Sequence, residues 1–268
     1  MSESAQPHWA GSRRLAGKGA VVAGASTGIG RATALRLAGE GARVLVGSPA
    51  GERALIDSLV DEIRDSGGEA YGADFDATDE ASIAALIEQG AAHLGSIDAV
   101  HANFADLQII FEDSDAVSVS DEVIERTLDV NLKGMIRITR HAVPRLLEGG
   151  GGAMIYTSST ASIVGEATRP CYAIAKSGIN ALVRHTASRW GREGLRANAV
   201  LPGLVITPEK RNSMPTDFQA EVLELGRSPR LGEPEDIAAM VALLASQDGY
   251  WINGQCIAVD GGNTLSRG

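Results

Sequence analysis

The stretch Gly19-Ala20-Val21-Val22-Ala23-Gly24-Ala25-Ser26-Thr27-Gly28-Ile29-Gly30 decides the fold. Its first half is apolar at successive positions, as a strand covered on both faces must be. Beyond the glycines the pattern changes to an amphipathic run, Arg31 to Glu40, closed by Gly41. A strand passing through a glycine turn into a helix opens a βαβ unit. The first N–H groups of a helix lack partners within it, and the helix dipole adds positive potential there. A turn cleared of side chains can therefore receive a pyrophosphate. The spacing is G-x-x-x-G-x-G, and Gly24, Ser26, Thr27, Gly28, Ile29 and Gly30 are the candidate contacts. A plain tight turn would carry the same glycines, but the place of this one in the first βα unit favours nucleotide binding.

The alternation continues outward from this stretch. Apolar runs rich in Val, Ile and Ala predict strands over 19–24, 42–47, 69–73, 97–102, 153–157, 196–200 and 256–259. Amphipathic runs between them predict helices over 28–40, 52–66, 79–94, 120–147, 172–190 and 235–245. The expected fold is α/β, a Rossmann-type doubly wound parallel sheet of about seven strands with helices on both faces. Residues 1–16 lack periodicity and read as a flexible arm, leaving 17–268 as one dinucleotide-binding catalytic domain. Two connections, 103–119 and 203–233, exceed what such a unit needs, and long loops at strand ends are where these sheets build sites.

Composition narrows the classes. With 24 Lys+Arg against 34 Asp+Glu the net charge is −10, which disfavours a nucleic-acid partner. The longest apolar run, 237–245, is too short for a membrane span. The opening residues hold no apolar signal core, so a cytoplasmic location is expected. Cys171 and Cys256 make no disulfide framework, and the five histidines show no ligand spacing, so no metal is expected.

After the second strand, a carboxylate would bind the adenosine ribose of NAD and repel a 2′-phosphate. Ser48 and Pro49 stand there instead, so the expectation leans to NADP(H) within NAD(P)(H). Asp74 follows the third strand and could accept from an adenine amine or cap a helix. Tyr172 and Lys176 lie four apart on one helix face, thirteen residues beyond Ser159. A phenol has a pKa of about 10, and lowering it to about 7 requires roughly 4 kcal/mol, at about 1.36 kcal/mol per unit. A neighbouring ammonium together with a cationic nicotinamide could supply that. Asn131 is an amide within an apolar helix stripe and must bond something if buried. Asp113, Asp115 and Arg169 read as solvated edges or surface pairs, and Cys171 as a small pocket residue.

Together these motifs resemble the short-chain dehydrogenase/reductase family over residues 17–262. The resemblance implies Tyr172 as general acid/base, with Lys176 binding the nicotinamide ribose and acidifying the phenol. It implies Ser159 orienting a carbonyl and Asn131 holding a water in a proton relay. Pro202-Gly203-Leu204-Val205-Ile206-Thr207 is similar to the family's P-G-x-x-x-T segment, which implies that the Val205 backbone and the Thr207 hydroxyl face the carboxamide. His101-Ala102-Asn103-Phe104-Ala105 stands where V-N-N-A-G is usual, keeping only Asn103. Ala23 replaces a Thr whose hydroxyl commonly braces the turn.

The implied activity is NAD(P)-dependent interconversion of a secondary alcohol and a ketone. Apolar residues in the long connections (Leu107, Ile109, Ile110, Phe111, Met214, Phe218, Val222, Leu223 and Leu225) favour a mainly apolar small molecule. The alternatives are reduction of a β-ketoacyl thioester, a non-catalytic nucleotide-binding regulator, or non-redox chemistry such as epoxide formation. The resemblance also implies a homotetramer.

Overall fold

The apolar runs become strands β1 Gly19–Ala23, β2 Arg43–Ser48, β3 Glu69–Asp74, β4 Ala99–Ala102, β5 Gly152–Thr157, β6 Leu195–Pro202 and β7 Cys256–Val259. The computed structural model describes residues 12–207 and 215–265, apart from the side chains of Phe218 and Leu225. All seven strands are parallel, in the order β3-β2-β1-β4-β5-β6-β7. The helices are α1 Gly28–Gly39, α2 Arg53–Asp65, α3 Glu80–Leu94, α4 Asp121–Leu128, α5 Gly134–Glu148, α6 Pro170–Trp190, α7 Thr216–Leu225 and α8 Pro234–Ala245.

Strand side chains point alternately to the two faces, so each apolar run feeds two cores. Val21, Leu45, Val100 and Met154 pack with Ile83 and Leu86 of α3, Ile138 of α5 and Ile179 of α6. Ala20, Val22, Val44 and Val46 pack with Leu37 of α1, Ile56 and Leu59 of α2 and Val241 of α8. Withdrawing one such Val, Leu or Ile side chain from water contributes about 1.5–3 kcal/mol, and losing it on either face costs the sheet its cover. The chain leaves β1 toward β2 on one side and returns as β4 on the other. This reversal opens a crevice beyond the strand C-terminal ends, where such sheets bind ligands.

Four details depart from the expected boundaries. The arm expected over 1–16 is not free at its end. Leu15 is buried, and Arg14 donates from Nε and Nη2 to the Glu40 carboxylate at 2.8 and 2.6 Å. Residues 1–11 lie outside the described set. The helix expected over 120–147 is α4 and α5 joined by a π turn, Asp129–Lys133. The connection over 203–233 contains α7, whose Val222 and Leu223 border a cavity with Leu204 and Val259. The helix expected from 172 begins at Pro170, whose fixed φ and missing N–H suit the first helical position.

Candidate active site

The glycine turn sits at the crevice. Gly24 and Gly28 adopt φ of +87° and +52°. A Cβ on Gly30 would lie 1.9 Å from the Gly24 carbonyl oxygen, so only glycine allows α1 to approach β1 this closely. Although Ala23 lacks a bracing hydroxyl, Ser48 supplies one from β2. Its Oγ accepts from the N–H groups of Ala25 and Ser26 at 3.1 and 3.0 Å, and the residue is buried. The Ser48 hydroxyl is therefore engaged with the turn. Thr27 precedes α1 without a side-chain cap, and the first turn of α1 holds no acid. The opening N–H groups of a cleared turn fit an anionic diphosphate. Across the turn, Thr207 Cγ2 lies 3.0 Å from where a Gly28 Cβ would stand, which brings the segment after β6 to the same crevice. That segment is tied down by Gly203 N–H to Val259 O at 3.2 Å and Ile206 N–H to Gly232 O at 2.9 Å.

Asn103 links the turn to the neighbouring strands. Its Nδ2 donates to Gly24 O at 2.9 Å, and its Oδ1 accepts from Thr157 Oγ1 at 2.8 Å. Asp74 ends β3 opposite Ser48, and its carboxylate lies 3.6 Å from Arg53 Nη1. Arg31 is engaged by Glu62.

Ser159, just past β5, accepts at Oγ from Ala161 N–H at 3.1 Å, and its hydroxyl lies near the phenol of Tyr172 in the first turn of α6. Lys176 is buried one turn further along α6. Its Nζ lies 5.5 Å from the Tyr172 ring centroid and donates to Thr157 O at 2.9 Å. Burial brings the Lys176 ammonium down to about 8. Burial also pushes the Tyr172 phenol up, against the nearby Ser159 hydroxyl and the Arg169 charge, which pull it down. Withdrawal from water thus opposes the acidification expected of Lys176. In the chain by itself burial is the first influence on both groups.

The start of α6 is held by a residue that sequence reasoning placed on a solvated edge. Asp113 is 2% exposed, and its carboxylate accepts from Tyr172 N–H at 2.8 Å and Cys171 N–H at 3.3 Å. It acts as an N-cap delivered from the 103–119 connection. Arg169, the one described non-glycine residue with positive φ, precedes the helix at φ +66°. Its N–H reaches Asp113 O and Ser114 O at 3.0 and 3.1 Å, and its side chain pairs with Glu166 at 2.6 Å. The acidic cluster around Asp113 gave no local signal, because the partner lies 58 residues or more away. Cys171 is buried beside this carboxylate, and its thiol is pushed up to about 11, chiefly by burial.

Asn131 is fully buried in the π turn, a helical irregularity frequent at functional sites. Its Oδ1 accepts from Asp106 N–H at 2.8 Å, while Nδ2 meets no partner among the described residues. Of the apolar residues expected above the site, Ile109 is buried, whereas Leu107 and Phe111 are exposed. Val222 and Leu223 border a cavity of about 280 Å³ with Leu204, Gly232 and Val259. Met214 and the side chains of Phe218 and Leu225 lie outside the described residues.

A family model described as Enoyl-(Acyl carrier protein) reductase matches residues 24–264. A probable short-chain type dehydrogenase/reductase of Bradyrhizobium diazoefficiens is 35% identical over 93% of this chain and 88% of its own length. Cis-4-hydroxycyclohexanecarboxylate dehydrogenase of Sinomonas cyclohexanicum is 36% identical over 91% of this chain and 96% of its own. The structure of a 7α-hydroxysteroid dehydrogenase complexed with NADH and 7-oxo glycochenodeoxycholic acid superposes with a TM-score of 0.86 at 27% identity. It covers 95% of this chain and 98% of that one. Matched along nearly its whole length in both sequence and fold, the chain belongs to the short-chain dehydrogenase/reductase family.

Proposed function

We infer that the protein is an NAD(P)-dependent oxidoreductase that interconverts a secondary alcohol and a ketone. The observation that carries this is the Ser159–Tyr172 pair with Lys176 one helical turn behind it, on the side of the sheet where the glycine turn opens. The turn from Gly24 to Gly30 would hold the pyrophosphate, Lys176 the nicotinamide ribose, and the Val205–Thr207 segment the carboxamide. Once bound, the coenzyme supplies or takes up hydride at the nicotinamide C4. Ser159 holds the substrate oxygen beside the phenol. In oxidation Tyr172 as phenolate accepts the hydroxyl proton, and in reduction the phenol donates it. Asn131, anchored through Asp106 N–H, keeps its amide nitrogen buried at the π turn, where it could order a proton-carrying water.

The coenzyme preference proposed is NADP(H). Ser48 is engaged with the turn and no carboxylate replaces it, while the Arg53 guanidinium stands at the ends of β2 and β3. The proposed substrate is a mainly apolar, cyclic secondary alcohol or ketone. Exposed Leu107 and Phe111 in the connection after β4 support it, as do relatives whose names place them on ring alcohols. A homotetramer fits the 93% exposure of Trp251 and the exposed Tyr250 ahead of the edge strand β7. Among the described residues no helix is long and apolar enough to cross a membrane.

A panel of cyclic and linear secondary alcohols, ketones and a β-ketoacyl thioester, each assayed with NAD(H) and NADP(H), tests the proposal. Turnover of cyclic alcohols or ketones, faster with NADP(H), is the expected result. Turnover confined to the thioester would reassign the substrate, and none with any compound would remove the enzymatic reading.

A further inference from the structure

His101 is a histidine inside an apolar strand, at the position where the family resemblance has valine. It is 1% exposed in β4, and its Nε2 lies 2.9 Å from Thr157 Oγ1 at the end of β5. The direction of this bond follows from the rest of the chain of contacts. Asn103 must present Nδ2 to the Gly24 carbonyl, which leaves Oδ1 as the acceptor for the single Thr157 hydroxyl hydrogen. That hydroxyl can then only accept from His101, so Nε2 carries the proton. His101 Nδ1 meets no partner among the described residues, as fits the unprotonated nitrogen of a neutral ring. Burial agrees, holding the imidazolium form off down to about pH 3.

The hydrogen bonds therefore run one way, His101 to Thr157 to Asn103 to Gly24, across the ends of β4, β5 and β1. The last acceptor is the carbonyl that a Gly30 Cβ would strike at 1.9 Å, which is the tightest point of the glycine turn. The main chain of the same threonine accepts Lys176 Nζ. Thr157 thus stands between the coenzyme turn and the lysine proposed to bind the nicotinamide ribose.

We propose that His101 and Thr157 are positioning residues for coenzyme binding, with His101 fixing the Thr157 hydroxyl so that Asn103 holds the Gly24 carbonyl and the turn in its receiving shape. This rests on the proposed dinucleotide function. Neither side chain touches the reacting atoms. Their effect falls on coenzyme affinity through the turn, and on Lys176 through the backbone of Thr157.

The test compares wild type, His101→Val, Thr157→Val, Thr157→Ser and the double variant His101→Val/Thr157→Val. The readouts are thermal midpoint and NADPH and NADH affinity by fluorescence titration. Losing one neutral hydrogen bond corresponds to about a five- to tenfold change in affinity, and that is the weakening expected for Thr157→Val. Thr157→Ser keeps the hydroxyl and binds as wild type does. The double variant removes the His101 N–H that Thr157→Val leaves unmatched, so it regains part of the thermal midpoint lost by Thr157→Val. Its coenzyme affinity stays low, because Asn103 still lacks its donor.

Coenzyme affinity that recovers together with the midpoint in the double variant would show a purely structural network and overturn the proposal. Unchanged affinity in Thr157→Val would do the same. A wild type that binds neither NADH nor NADPH ends the dinucleotide reading itself, and with it this proposal, before any variant is compared.

Discussion

Burying a neutral histidine in β4 ties the stability of the fold to pH. In the unfolded chain His101 takes up a proton near its ordinary 6.5, whereas in the fold it stays neutral down to about 3. Below 6.5 the unfolded state therefore binds more protons than the folded state, and stability falls as pH falls through that window. At pH 5, about 1.5 units under the unfolded value, the penalty is roughly 2 kcal/mol at about 1.36 kcal/mol per unit; at pH 7.5 it is close to nil. His101→Val removes the titrating group. Urea unfolding of both proteins at pH 7.5 and pH 5, at one protein concentration, should show wild type losing about 2 kcal/mol more than the variant between the two pH values. Carboxylates held low by their partners, such as Glu40, Asp98 and Asp236, are common to both proteins and cancel in the comparison. Equal losses would mean that the imidazole is protonated within the fold, and the tautomer deduced from the hydrogen bonds would be wrong.

Other perturbations follow from the same contacts. Asp113→Ala removes the acceptor for the Tyr172 and Cys171 N–H groups, and should lower stability by about 1–2 kcal/mol. Turnover should drop with it; undiminished turnover would deny that Asp113 positions Tyr172 through the start of α6. Lys176, brought to about 8 by burial, is charged below that value and neutral above it. The coenzyme kcat/KM should therefore fall above about pH 8 in wild type and stay level in Lys176→Arg, and parallel profiles would contradict this. Glu40→Gln leaves Arg14 and Arg36 facing a neutral amide in a buried site, and should cost about 3–5 kcal/mol in urea unfolding. A loss below about 1 kcal/mol would make the pairing no stronger than a surface one.

The layout of the sheet was legible because it depends on local pattern. The run 19–24 is apolar at every position and 42–47 at every position but Arg43, a signature that parallel strands covered by helices must carry. The glycine turn and the Ser159, Tyr172 and Lys176 spacing were legible for the same reason, since each fits within one strand-to-helix passage or one helical turn. What escaped depends on contacts between distant parts of the chain. Asp113 looks like one acid among several until the fold brings it to the start of α6. Ser48 occupies the place of a ribose ligand, yet its hydroxyl turns inward to replace the one that Ala23 lacks. The π turn at Asn131 leaves hydrophobic periodicity almost unchanged, so 120–147 read as one uninterrupted helix. Charge proximity alone argues for an acidified Tyr172. Burial of the phenol and of Lys176, which spacing does not show, acts in the opposite direction.

The measurement closest to the central claim is the turnover of Tyr172→Phe beside its coenzyme affinity. Phenylalanine keeps the ring between Ser159 and Lys176 and removes only the hydroxyl. The account predicts unchanged NADPH binding, with kcat lowered by about 10²–10⁴-fold, the contribution typical of a positioned acid/base group. Turnover near that of wild type, with coenzyme still bound, would show that the proton travels by another route and would contradict the assignment of Tyr172.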